Sequence, residues 1–249
     1  MKQDFAITAT APVAVVIGAG DATGGAIARR FAREGFTLCV TRRNADSLSE
    51  LVGQIESDGG KAHAFGCDAR SEEEMVGLFE HIERDIGPVE VAIFNIGANV
   101  RFGITETTAR VYRKVWEMAG FAGFLTGREA AKVMLPRGKG TIIFTGATAS
   151  LRGGSGFSAF AGAKFALRAL AQSMARELGP QGIHVAHPII DGAIDTAFIR
   201  DNFPERYALK DQDGILNPDH IADQYWAIHA QPRDSWTHEL DLRPWLETF

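Results

Sequence analysis

Short apolar, β-branched runs alternate with longer amphipathic segments along almost the whole chain, and this alternation is the strongest constraint on its fold. "PVAVVIGAG", "FTLCVTR", "KAHAFGCD", "PVEVAIFNIG", "GTIIFTGA" and "GIHVAHPII" read as strands. Between them lie "GGAIARRFAREG", "ADSLSELVGQIESDGG" with apolar residues at 48, 51, 52 and 55, and "SEEEMVGLFEHIERDIG" with its serine cap and three leading acids. These spacings are helical. A long helix is expected over 107–135, another over 158–178, a tail helix over 218–230 and a short strand near "THELDLRP". Strands apolar on both faces must be covered on both faces, so the sheet is expected to be parallel with helices above and below. Right-handed crossovers then make it doubly wound, an α/β fold in three layers. Without a linker, repeat or low-complexity stretch, residues 1–249 read as one domain.

Composition removes several function classes. The 249 residues carry 26 basic and 31 acidic side chains, a net charge of −5, with no long block of like charge. A nucleic-acid surface is therefore not expected. Nowhere do eighteen apolar residues run together, and "MKQDFAITATAP" lacks the apolar core of an export signal, so neither a membrane span nor secretion is expected. Cys39 and Cys67 are too few for a disulfide framework and read as buried, reduced thiols, which suits the cytoplasm. No metal-ligand cluster is read.

The first strand runs into Gly18, Ala19, Gly20, Asp21, Ala22, Thr23, Gly24 and Gly25, and then a helix. Glycines there permit a tight turn and bring backbone N–H groups close to a pyrophosphate at the positive helix end. The strand-turn-helix context gives the pattern its meaning; otherwise it is only a tight turn. The second strand ends in Thr41, Arg42 and Arg43, with no acid before Asp46. An acid would bind a ribose 2′-hydroxyl, whereas two guanidiniums suit a 2′-phosphate. Unless they merely point into solvent, NADP(H) is favoured over NAD(H).

With "GAGDATGG", "CDA" at 67–69, "NIG" at 95–97, "AK" inside "FAGAKFALRALAQSMARELGPQGI" and "GAIDT" at 192–196, the chain resembles the short-chain dehydrogenase/reductase family in its single-domain form. The likeness runs over about residues 12 to 200 and implies a Rossmann-type NAD(P)-binding fold. It places Asp68 and Ala69 by the adenine, Asn95 and Gly97 along the cofactor, and Gly192, Ile194 and Thr196 at the nicotinamide carboxamide. Ile190-Asp191 stands where the family has a proline, the segment is one residue longer, and Ala22 replaces the middle glycine of the first turn. Family members commonly pair through the two long helices, so a homodimer or homotetramer is implied.

The family's catalytic tetrad of asparagine, serine, tyrosine and lysine does not carry over. Lysine falls on Lys164, tyrosine on Phe160, serine on Ala147 and asparagine on Gly120. A positioned proton donor contributes roughly 10²–10⁴-fold to a rate, so ordinary carbonyl reduction should nearly vanish without a substitute. Lys164 is expected to meet the ribose hydroxyls, or else to be a helix lysine reaching water. For the proton, Lys164, water, Asp191, His187 and Tyr207 are the candidates, His187 otherwise being a core histidine. Two readings stay open: an oxidoreductase with a non-standard site and unknown, less polar substrate, or a catalytically silent NADP(H)-binding sensor or partner protein. A methyltransferase on the same sheet fits less well. The segment 197–217, rich in aromatics and charges, is either a surface connection or a lid over a substrate pocket.

Overall fold

Val13–Ile17 are five consecutive buried residues, and they form β1, the strand at the centre of the architecture. Their side chains alternate, as a strand requires. Val13, Val15 and Ile17 enter one apolar cluster, and Ala14 and Val16 enter another on the opposite face. The computed structural model describes residues 11–248; segment 1–10, most of the stretch read as lacking an export signal, lies outside them.

After β1 come α1 (Thr23–Arg33), β2 (Thr37–Arg42), α2 (Ser49–Ser57), β3 (Lys61–Gly66), α3 (Glu72–Asp85) and β4 (Val89–Phe94). Ser71 caps α3, its hydroxyl accepting from Glu74 N at 3.3 Å, with Glu72, Glu73 and Glu74 at the positive end. The second half holds α4 (Ala109–Trp116), α5 (Ala122–Met134), β5 (Gly140–Phe144), β6 (Gly146–Ala147), α6 (Ser158–Leu178), β7 (Ile183–Ile190), α7 (Ala197–Asn202), α8 (Pro204–Tyr207), α9 (Pro218–His229) and β8 (Glu239–Leu242).

All the strand pairs are parallel, and the order is β3-β2-β1-β4-β5-β7, with β6 and β8 also pairing β7. Phe31 of α1 shares one cluster with Ile221, Tyr225 and Ile228 of α9. Phe79 of α3, Leu125 of α5 and Leu167 of α6 fill the cluster on the other face. The result is the expected doubly wound, three-layered parallel sheet. The winding reverses between β1 and β4, which opens a crevice beyond their carboxyl ends.

Two expected elements are interrupted. The helix over 107–135 is α4 and α5 joined by one π turn, Glu117–Phe121, which contains Gly120. Such turns insert a residue into the i to i−4 ladder, and hydrophobic spacing cannot show them. The strand "GTIIFTGA" breaks at Thr145, whose N–H donates to Phe94 O at 2.9 Å while its carbonyl leaves the ladder for a side chain. Among the described residues no helix is long and apolar enough to cross a membrane.

Candidate active site

The glycine turn is built for close approach. Gly18 has φ +88°, and a Cβ there would come within 2.9 Å of Ile96 Cγ1. A Cβ on Gly24 would lie 2.6 Å from Gly18 O. Asn95, at the end of β4, donates from Nδ2 to Gly18 O at 3.2 Å and ties the turn across the switch point. Ala22 precedes α1 with no side-chain cap, and no acid occupies the first turn. Uncapped N–H groups and the positive end of the helix dipole therefore face outward together, a setting that fits an anionic pyrophosphate.

This turn lines a cleft of about 1490 Å³. Gly18, Gly20, Asp21, Thr23, Gly24, Asn95, Gly97, Lys164, Gly192, Ile194 and Thr196 all line it. Arg42, Arg43, Asp68 and Ala69 do not. Arg42 Nη1 lies 3.4 Å from Asp21 Oδ1, at the rim. Asp68 takes a forked contact from Arg70, Nε to Oδ1 at 2.9 Å and Nη2 to Oδ2 at 2.5 Å. That contact, with Arg43 adding, holds its carboxyl below the usual range. Asp68 and Arg70 instead line a smaller hollow beside Trp116 and Phe121.

At the cleft floor, Phe160 and Lys164 share one face of α6, four residues apart. Lys164 is buried, and its Nζ donates to Thr145 O at 2.7 Å and Ile96 O at 3.3 Å. Burial pulls its pKa down to about 8. The ammonium sits 5.9 Å from the Phe160 ring centroid. Ala147 lines the cleft beside them, its N–H donating to the buried Ser150 hydroxyl at 3.1 Å. The Thr145 and Thr148 hydroxyls are both engaged, with Tyr225 Oη at 2.8 Å and with Asp191 Oδ1 at 2.5 Å.

The other proton-donor candidates fall in different places. Asp191 is buried, accepts from Thr148 and lies 3.5 Å from Arg152 Nη1; it is not among the cleft-lining residues. His187 is fully buried behind Gly146, 3.3 Å from a Glu239 oxygen but without an aligned hydrogen bond. Burial, with Lys164 and Arg168 adding, pushes its pKa down to about 4 against the pull of Glu239, so it is a neutral core imidazole at pH 7. Tyr207 does line the cleft. Cys39 and Cys67 are free and buried, and burial pushes their thiols up to about 12 and about 11.

The segment 197–217 folds into α7, α8 and a 3-10 turn, Ala208–Gln212. Phe198, Phe203 and Arg206 from it line the cleft. The chain end braces it, since Trp245 Nε1 donates to Gln212 O at 2.9 Å and Glu247 pairs with Arg206 at 3.4 Å. Sequence reasoning missed Arg29, Arg101, Arg152, Phe157 and Glu247, which also line the cleft. Arg101 and Arg152 follow β4 and β6 at the carboxyl edge of the sheet, which was the available signal.

The family described as short chain dehydrogenase matches residues 12–206. The crystal structure of a short-chain dehydrogenase from Rhodopseudomonas palustris is 51% identical to this chain, with a TM-score of 0.81, covering 95% of this chain and 99% of that one. A short-chain dehydrogenase/reductase of Armillaria gallica is 32% identical over 176 residues, 70% of this chain and 67% of its own length. A structure of 7α-hydroxysteroid dehydrogenase complexed with NADH and 7-oxo glycochenodeoxycholic acid is 26% identical, with a TM-score of 0.85 and 94% of each chain covered.

Proposed function

Because the chain belongs to the short-chain dehydrogenase family of oxidoreductases, we propose that it is a single-domain, NADP(H)-binding oxidoreductase whose active site works without the family's tyrosine, serine and asparagine. The carrying observation is Lys164, buried at the cleft floor against the carbonyls of Thr145 and Ile96, with Phe160 and Ala147 presenting only carbon beside it. The glycine turn and uncapped α1 would hold the pyrophosphate, Asn95 and Gly97 the adjoining length, and Gly192, Ile194 and Thr196 the nicotinamide end. The relative's structure carries NADH; the preference for NADP(H) here rests on Arg42 and Arg43, with Asp68 and Ala69 flanking the adenine end.

When bound, the nicotinamide supplies or accepts hydride. This chain's residues must then place the substrate, exclude water and manage the proton. Phe160, Ala147 and the lid ring Phe203 make the reacting chamber apolar, which suits a substrate that needs little acid assistance. Lys164 would hold ribose hydroxyls, and an ammonium of pKa about 8 also releases a proton readily near neutrality. It is a better donor than Asp191, which is committed to Thr148.

The same geometry supports a second reading, a silent NADP(H)-binding sensor or partner protein, because the Phe160 ring faces Lys164 where a hydroxyl would stand. Steady-state NADPH oxidation against a broad panel of carbonyl and enoyl compounds separates the two, run beside calorimetric titration of the nucleotide. Turnover of any panel member supports the oxidoreductase; tight NADPH binding with no turnover supports the silent protein. A cytoplasmic homodimer or homotetramer completes the proposal, on the free buried cysteines and an exposed aromatic face of Tyr112, Trp116, Phe124 and Phe165.

A further inference from the structure

We infer that Arg101 receives an oxyanionic group of the substrate, so that the substrate is a largely apolar molecule with a carboxylate or phosphate at one end. The inference rests on reading the cleft as a substrate chamber beside a nucleotide. The carboxylates and guanidiniums of the cleft wall are paired with one exception. Asp21, Asp195, Asp219 and Glu247 line the cleft, and each has its own cation: Arg42 at 3.4 Å, Lys210 at 2.8 Å, Arg29 at 3.7 Å and Arg206 at 3.4 Å. Arg152 shares the buried Asp191. Arg200 pairs with Asp201 at 2.8 Å, so of the lining arginines Arg29, Arg101, Arg152, Arg200 and Arg206, Arg101 alone has no carboxylate within ion-pairing distance among the described residues.

Its position is nevertheless built. The guanidinium carbon stands 5.9 Å from the centroid of the Phe157 ring. The stem crosses Gly156 so closely that a Cβ there would meet Arg101 Cγ at 3.0 Å and Nε at 3.3 Å. Gly156 has φ +84°, which a side chain would strain, and it accepts from Phe102 N at 2.9 Å. The loop after β4 and the loop before α6 are thus clamped together with the arginine laid across the join. The glycine turn and the uncapped start of α1 already offer the nucleotide phosphates a site of their own, which leaves Arg101 for another group. A planar fork of N–H donors beside an aromatic face suits an oxyanion carried on an apolar body, and Phe157 and Phe160 supply that apolar wall.

The test measures NADP⁺ affinity by calorimetry for wild type and Arg101→Gln, then titrates the NADP⁺-saturated proteins with matched probes. These are 2-naphthoate and 3-phenylpropanoate against their primary amides, and 2-naphthyl phosphate against 2-naphthol. The expected result is equal NADP⁺ affinity in both proteins, with at least one oxyanion binding wild type about tenfold more tightly than its neutral partner and that ratio falling to near one in Arg101→Gln. Whether the carboxylates or the phosphate show the larger ratio assigns the head group. Oxyanions binding no better than their neutral partners, or a preference that survives Arg101→Gln, would overturn the inference alone. Failure of NADP⁺ to bind either protein would bring down the cleft reading and the inference with it.

Discussion

Lys164 donates to the Thr145 carbonyl over 2.7 Å, and the hydroxyl of the same threonine meets Tyr225 Oη at 2.8 Å. Thr145 is the point where the strand leaves its ladder, so a backbone carbonyl freed from the sheet holds the buried ammonium. Tyr225 is itself fully buried on α9, on the opposite face. The lysine at the cleft floor is therefore positioned through the sheet.

That burial has a pH signature. Lys164 falls from an ordinary 10.5 to about 8. Between those values the unfolded chain binds a proton that the native state does not, so stability rises with pH across the window. Below about 8 the full penalty is present, about 3 kcal/mol at 1.36 kcal/mol per unit. Guanidinium chloride unfolding of wild type and Lys164→Met at pH 7 and pH 10 should show the difference between them shifting in favour of wild type by about 2–3 kcal/mol. A pH-independent difference would show that Lys164 is not desolvated.

The proposed preference for NADP(H) rests on Arg42 and Arg43. Calorimetric titration should give tighter binding of NADP(H) than of NAD(H). The double change Arg42→Gln, Arg43→Gln should cost NADP(H) roughly tenfold or more and leave NAD(H) unchanged, because the charges have no role opposite a 2′-hydroxyl. Equal or reversed affinities in wild type contradict the assignment.

Assembly is predicted from the exposed rings on α4, α5 and α6. Trp116 stacks on Phe121 at 5.8 Å, Phe121 on Phe124 at 6.1 Å, and Phe165 is 43% exposed. Exposed aromatic side chains grouped in this way mark interaction surfaces. Light scattering should give a multiple of the 27.0 kDa chain, and Phe124→Asp with Phe165→Asp should reduce it to one chain. A wild-type particle of single-chain mass at micromolar concentration rejects the prediction.

Much of this was legible in the residues. The helix over 158–178 has the bounds expected, because an unbroken apolar stripe runs into Gly179-Pro180, where proline stops a helix. The glycine turn was legible because strand, turn and helix are contiguous in the chain. The π turn at Gly120 was not, since it alters the ladder without altering the spacing of apolar residues. Thr145 was hidden because a carbonyl's partner depends on a lysine nineteen residues away. Arg101 was hidden for a similar reason: its isolation shows only when the carboxylates of distant segments are seen to be paired elsewhere.

Phe160 and Ala147 are proposed to be what removes ordinary carbonyl chemistry from this cleft. Phe160→Tyr with Ala147→Ser would place two hydroxyls beside Lys164, and the neighbouring ammonium would lower the new phenol's pKa. The groups act as a unit, so either change alone should do little. Gly120 still offers no side chain for a water relay, which limits the gain. The decisive measurement is NADPH consumption with simple ketones and quinones by wild type, both single variants and the double. Near-background rates are expected for wild type and the singles, and a rate about tenfold or more higher for the double; wild type consuming NADPH with those ketones as fast as the double would contradict this role of Phe160 and Ala147.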